Sequence, residues 1–371
     1  MSGLLGLSVF GCEASPEVVE GSGGTSAWGG SSSGGSASGG EANNMAGSGA
    51  STADPEPDCL EGEAARRVGS TTLLYAADLA ALRGVNVVDG DLTIGRADGD
   101  NRKSQIKSLA DLVCLREVTG DLLITRNAKL SDLSGLERLE RVGGRLEISK
   151  NEALTGVDGF DALNWVTKDI TLSELPKLSQ VAGFDQLTHT SGLKVVSNSA
   201  LQELGGFALV SEFSGDLSIS FSPQLRAVTC CEQLALVQSL RLSYNDVLSD
   251  VSGLDGLEVV AAELSISDNS GLNTLDAFNG LLEVNHLSIW QNVGLLVVDG
   301  FAQLNHVDYL GIRYNAALDS LLGFDVLHDV GRLDIDGNPS LLNCAAEQLR
   351  DRLGVAASSS HLSGNKAGTC P

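Results

Sequence analysis

Aromatic side chains make up only 4 % of the 371 residues, and the chain holds 7 Pro and 5 His. With so few aromatics, the position of each one carries information. Scarce proline leaves long stretches free to enter hydrogen-bonded structure. Basic residues are also few: 24 Lys and Arg stand against 48 Asp and Glu, a net charge of −24. Such a chain lacks the cationic face that a phosphate backbone demands, which excludes nucleic acid as a partner. Charge alone does not dock it on an anionic membrane either. The histidines, His189, His286, His306, His328 and His361, are scattered and read as solvated turn residues. Neither H-x-x-x-H, H-E-x-x-H nor C-x-x-C occurs. No metal site, no cofactor and no catalytic constellation is therefore expected, and the chain reads as a non-enzyme. Asp98-Gly99-Asp100-Asn101 lacks the spacing of a calcium loop and reads as an acidic insertion.

What is present divides into three segments. Residues 1–12 are a short apolar run ending at Cys12. The run is far shorter than the roughly 20 residues of a bilayer crossing. Val9-Phe10-Gly11-Cys12 resembles a bacterial lipobox, which implies a signal segment and lipidation of Cys12. No Lys or Arg precedes the run, and a start site further upstream would supply the missing basic segment. Residues 13–58 are dominated by Gly and Ser, cannot repay backbone entropy with a core, and read as a disordered tether. Gly30-Ser31-Ser32-Ser33-Gly34 fits G-x-S-x-G formally, but no strand or helix surrounds it. Residues 59–371 carry the folded part.

From Gly90 the chain repeats every 23 or 24 residues, in eleven rungs of the form x-L-x-I-x-x-N-x-x-L-x-x-L-x-G-F-x-x-L-x-x-V. Asn occupies its phase at Asn127, Asn151, Asn198, Asn245, Asn269, Asn292, Asn315 and Asn338. Phe recurs at Phe160, Phe184, Phe207, Phe278, Phe301 and Phe324. L-x-I alternation is a short strand with one buried face. A turn Asn can satisfy backbone groups of the neighbouring rung. One rung cannot bury its own Leu and Phe, but stacked rungs can. The expectation is a mainly β, single elongated, right-handed solenoid, with Ala345–Leu353 as a helical cap.

Asp78-Leu79-Ala80-Ala81-Leu82-Arg83-Gly84-Val85, followed by Val88-Asp89-Gly90-Asp91-Leu92-Thr93-Ile94, resembles the opening of the receptor L-domain family. The likeness extends over about 59–371 and, more distantly, to leucine-rich repeats and to bacterial surface lipoproteins with the same repeat. It implies a solenoid fold and a general habit of extracellular recognition. Eleven rungs exceed one such domain, and the chain has no Cys-rich module or kinase, so hormone signalling is not implied.

Setting Cys12 aside leaves six cysteines. Cys59 and Cys114 flank one end of the solenoid and Cys344 and Cys370 the other, so a disulfide at each end is the economical pairing. Cys230 and Cys231 fall on the Gly-Phe phase of one rung, where Cys231 replaces a buried Phe. Two outward rows precede the Asn column, and in the later rungs they collect Phe221, Tyr244, Ser267, Trp290, Arg313 and Tyr314. Exposed aromatics beside an Arg fit a contact site for protein or carbohydrate. The chain is thus expected to be a lipid-anchored recognition protein at the outer surface of the cell envelope. Its only membrane contact is the N-terminal lipid. The alternatives are a secreted form and a ligand-free structural spacer.

Overall fold

The computed structural model describes residues 58–96 and 104–370. The expectations at Cys12, along the tether and at Asp98–Asn101 lie outside them. Thirteen strands form one parallel sheet in chain order. They are β1 (Thr71–Leu73), β2 (Leu92–Gly95), β3 (Leu122–Thr125), β4 (Leu146–Ser149), β5 (Ile170–Ser173), β6 (Leu193–Val196) and β7 (Glu212–Ser220), then β8 (Leu236–Ser243), β9 (Val259–Ser267), β10 (Glu283–Trp290), β11 (His306–Arg313), β12 (Asp329–Asp336) and β13 (Ser360–His361). Eleven of these, β2 to β12, are the rungs read from the repeat. β1 and β13 add a turn at each end without the full repeat motif. β1 runs into the short helix α1 (Ala76–Leu79) instead of an N-x-x-L turn, and β13 is only two residues long.

Each rung pairs in register with the next, so that Leu264, Leu287 and Leu310 align, as do Ile266, Ile289 and Ile312. These Leu and Ile residues have no solvent exposure. The corner before the core Leu of each strand spans three or four residues. Leu146 follows Val142 at an offset of four, and the strand there is broken into two pieces. Leu287 follows Val284 at an offset of three, and β10 runs unbroken for eight residues. Where corners of different length meet, the register slips, as between Val260 and Glu263.

The residue after each strand carries the structural logic of the rung. Strict alternation would turn Arg126, Phe221, Tyr244 and Tyr314 inward. These residues instead take left-handed backbone, with φ of 58°, 55°, 57° and 56°. One left-handed residue shifts the phase, so that its own side chain faces out and the following residue, Asn on most rungs and Ser222 after Phe221, faces in. A non-glycine residue pays steric strain of roughly 1 kcal/mol there. The buried Asn offsets it. Asn269 Nδ2 donates to the Leu242 carbonyl at 3.0 Å, and its Oδ1 accepts the Asn245 backbone N–H at 3.1 Å. Asn292 and Asn315 repeat both bonds on the preceding rung. The Asn carbonyl then accepts the N–H of the Leu three residues on, closing the turn. All eight Asn are fully buried. A ninth member, Asn365, continues the ladder into the cap: its Nδ2 donates to the Ile335 carbonyl at 2.8 Å, and its Oδ1 accepts from Asn338 N–H.

On six rungs the second side is filled by stacked Phe rings. Phe160, Phe184 and Phe207 stack at 5.4 and 4.7 Å, and Phe278, Phe301 and Phe324 at 5.6 and 5.5 Å. Cys231 and Leu254 interrupt the Phe column. Cys230 and Cys231 are free and buried, and burial pushes the Cys231 thiol well above its usual range. Disulfides Cys59–Cys114 and Cys344–Cys370 close the two ends, as their positions predicted, with Cα separations of 5.5 and 5.8 Å. Helix α2 (Asn343–Arg352) covers the C-terminal end through Ala346 and Leu349.

Replacing Asn269 by Ala strands the Leu242 carbonyl and the Asn245 N–H in the core. Each costs about 1–3 kcal/mol, so urea unfolding of Asn269→Ala is expected to show a loss of about 2–6 kcal/mol.

Candidate functional site

The left-handed column places Phe221, Tyr244 and Tyr314 on the sheet's outer face, 51 %, 43 % and 55 % exposed. Phe221 and Tyr244 stack face to face at 4.7 Å. Asp268 and Gln291 separate that pair from Tyr314 in the column. Burial raises the Asp268 carboxyl above the usual range, opposed by hydrogen bonds with Ser267 and Tyr244. Ser267 departs from expectation. It lies on the outward row but is only 3 % exposed, because a short side chain sits flush with the sheet beside the larger Trp290 on the next strand.

Trp290, Arg313 and Tyr314 do come together. With Ser288, Tyr309 and Gly311 they line an open depression of about 200 Å³. Gly311 makes the floor possible. A Cβ there would lie 2.6 Å from Tyr309 Oη and 2.8 Å from Cε1, so the Tyr309 ring lies down over the glycine. Gly337 serves Tyr314 in the same way, since a Cβ would meet Cδ1 at 2.5 Å. Both rings therefore lie against the backbone of their own or the adjacent rung.

Asp334, 1 % exposed, holds the polar side of the depression. It pairs with Arg313, lies 3.1 Å from Arg332 and accepts the Tyr309 hydroxyl at 3.2 Å. Arg313 Nε also lies 3.0 Å from Asp336 Oδ1, a charge contact poorly aligned for a hydrogen bond. Burial raises the Tyr309 phenol, partly offset by Arg313, which keeps it a donor to Asp334. Arg313 further sits 5.8 Å from the Tyr309 ring centre. Arg313 is thus a fixed group on a locked platform.

Tyr309, Gly311, Arg332 and Asp334 were absent from the sequence reading, which followed only the two rows nearest the Asn. Two-residue alternation back from Arg313 reaches Gly311 and then Tyr309 on the same face, so the signal was present. His328 is an exposed loop residue as expected, and the other histidines depart from the turn reading. His286 and His306 lie on strands, His286 edge-on to Tyr309 at 5.9 Å and His306 bonded to Asp329 at 2.8 Å. His189 stacks on Trp165 at 3.9 Å, away from the depression. Among the described residues no group of three or more His, Cys, Asp or Glu could hold a metal. No helix among them is long and apolar enough to cross a membrane.

Asp334→Ala leaves Arg313 without its main counter-charge and is expected to cost about 2–3 kcal/mol in urea unfolding, discounted for the partial exposure of both arginines. Asp268→Asn removes a carboxylate disfavoured by burial and suits the left-handed position. Because the folded state holds that proton more tightly than the unfolded chain, wild-type stability falls as pH rises through the raised value. The variant is therefore expected to be the more stable at pH 7, with the difference shrinking as pH falls through that window in paired denaturation curves.

Residues 85–159 match the family model described as Receptor L domain. That span covers the first rungs and ends well before Trp290. No curated protein matches the chain. Among solved structures, a leucine-rich repeat protein from Bacteroides ovatus is similar at 12 % identity, covering 82 % of this chain and 92 % of its own, with a TM-score of 0.21.

Proposed function

We propose that this Receptor L domain-like solenoid is a non-enzymatic recognition protein whose outer sheet face binds a protein or glycan ligand outside the cytoplasm. The observation that carries this reading is the cluster of Trp290, Tyr309 and Tyr314 around an arginine held by a buried carboxylate. Rigid aromatic rings next to a pre-oriented guanidinium bind with little entropy to lose. An isolated exposed aromatic would need no such explanation. The two disulfides support an oxidising compartment. In the fuller reading, Cys12 carries a lipid, residues 13–58 form the tether, and 59–371 stand off the envelope surface. A ligand-free spacer is the competing role, and it gives the Trp290 surface nothing to do.

The test uses the full chain and its Trp290→Ala/Tyr314→Ala variant, each added to envelope fractions of the source cell. The variant is expected to unfold within about 1 kcal/mol of wild type, because surface changes away from caps and cores are mild. It is expected to lose at least about tenfold in bound fraction, since aromatic anchors of this kind carry about 2 kcal/mol or more each. Equal binding by the two proteins removes the site and favours the spacer.

A further inference from the structure

We propose that the depression over Gly311 is a subsite for one neutral pyranose ring of a glycan chain, an inference that rests on the recognition reading above. Three properties of the depression select this ligand. The first is shape. At about 200 Å³ the space is smaller than a pocket for a drug-sized molecule and suits a single ring. The Tyr309 ring lies down on Gly311, and the Trp290 indole and Tyr314 line the same space. The negative face of an aromatic ring attracts polarised C–H groups, which a pyranose offers on its flat side.

The second property is charge. Arg313 and Arg332 face Asp334 and Asp336, so the local charges cancel pairwise. An anionic ligand would compete with Asp334 for Arg313, whereas a cation would meet Arg313 and Arg332 at the rim. A neutral ligand disturbs neither pair. The third is hydrogen bonding. An apolar peptide side chain seated here would desolvate Arg313 and Ser288 without returning a partner, at a cost of about 1–3 kcal/mol for each buried group. A polyol returns a hydroxyl to each.

The subsite also has a neighbour. A wider open hollow of about 540 Å³ shares Ser288, Tyr309 and Arg313 with it and continues past His286 to Glu263 and Arg332. The two are continuous, so a chain of sugars fits better than a lone monosaccharide. Phe221 and Tyr244, stacked on each other on earlier rungs, fall outside both.

The experiment is native affinity electrophoresis of the full chain in gels containing dextran, mixed-linkage β-glucan, mannan, galactan or xylan. At least one polymer is expected to retard the wild type. Trp290→Ala should weaken that retardation at least tenfold, and Gly311→Val, which fills the floor, should abolish it. Phe221→Ala/Tyr244→Ala should stay within twofold. Normal unfolding of Trp290→Ala keeps the test independent of the more disruptive glycine change. No retardation in any gel, or retardation unchanged in Trp290→Ala, overturns the proposal. If envelope binding depends on Trp290 and Tyr314 while no gel retards the protein, the recognition role stands and the glycan assignment falls. If neither assay responds, both fall.

Discussion

The buried asparagine ladder is the constraint on which this molecule depends. A solenoid rung must turn its chain at the end of every strand, and each turn would leave a carbonyl and an N–H facing the core. The Asn amide satisfies one of each on the preceding rung from Asn151 through to Asn365, while Asn127, first in the column, makes only the bond to the Ile94 carbonyl there. Because every bond crosses to a neighbouring rung, stability is cooperative along the stack in the manner of nearest-neighbour repeat proteins. Removing one Asn is felt on two rungs. Leu175 and Ser222 break the column, yet their backbone N–H groups still donate to Asn198 and Asn245. A rung that lacks the amide thus still hangs its own N–H on the Asn of the rung that follows.

The same device creates the surface. Burying the Asn requires a left-handed residue just before it, and that residue is forced outward. Side chains at this position bear on no core, so the column is free to vary, from Lys150 and Glu174 to Phe221, Tyr244 and Tyr314. A fold requirement thus supplies a row of outward positions whose side chains the core does not constrain. The depression over Gly311 adds a second ingredient, an outward strand position emptied of its side chain so that Tyr309 can lie down. A backbone rule and one glycine together yield the cluster of Trp290, Tyr309 and Tyr314 around Arg313.

Much of the architecture was legible because periodicity reports stacking directly. The rungs from β2 to β12, the inward Phe, the Asn column and the pairing of Cys59 with Cys114 and Cys344 with Cys370 all follow from phase and position. The end turns were not legible, since β1 and β13 have no full repeat and are held by neighbours. Asn365 joins the ladder 27 residues after Asn338, outside the 23–24-residue spacing. The site was half legible. Trp290, Arg313 and Tyr314 stood out as rare residue types on one face, but Gly311 and Asp334 look ordinary in sequence and matter only through what lies over them. Ser267 stands on the outward phase, but between Ser243 and Trp290 its short side chain is 3 % exposed.

Hydrogen exchange of the backbone amides tests the central claim most directly, because it reads the ladder bond by bond. Each Asn N–H in the unbroken run accepts its protection solely from the side chain of the next rung. If the ladder governs the fold, the amides of Asn245, Asn269, Asn292 and Asn315 exchange as slowly as those of the central strands, only through global unfolding. If they exchange at the rate of the exposed turns, the ladder is a consequence of stacking and not its cause.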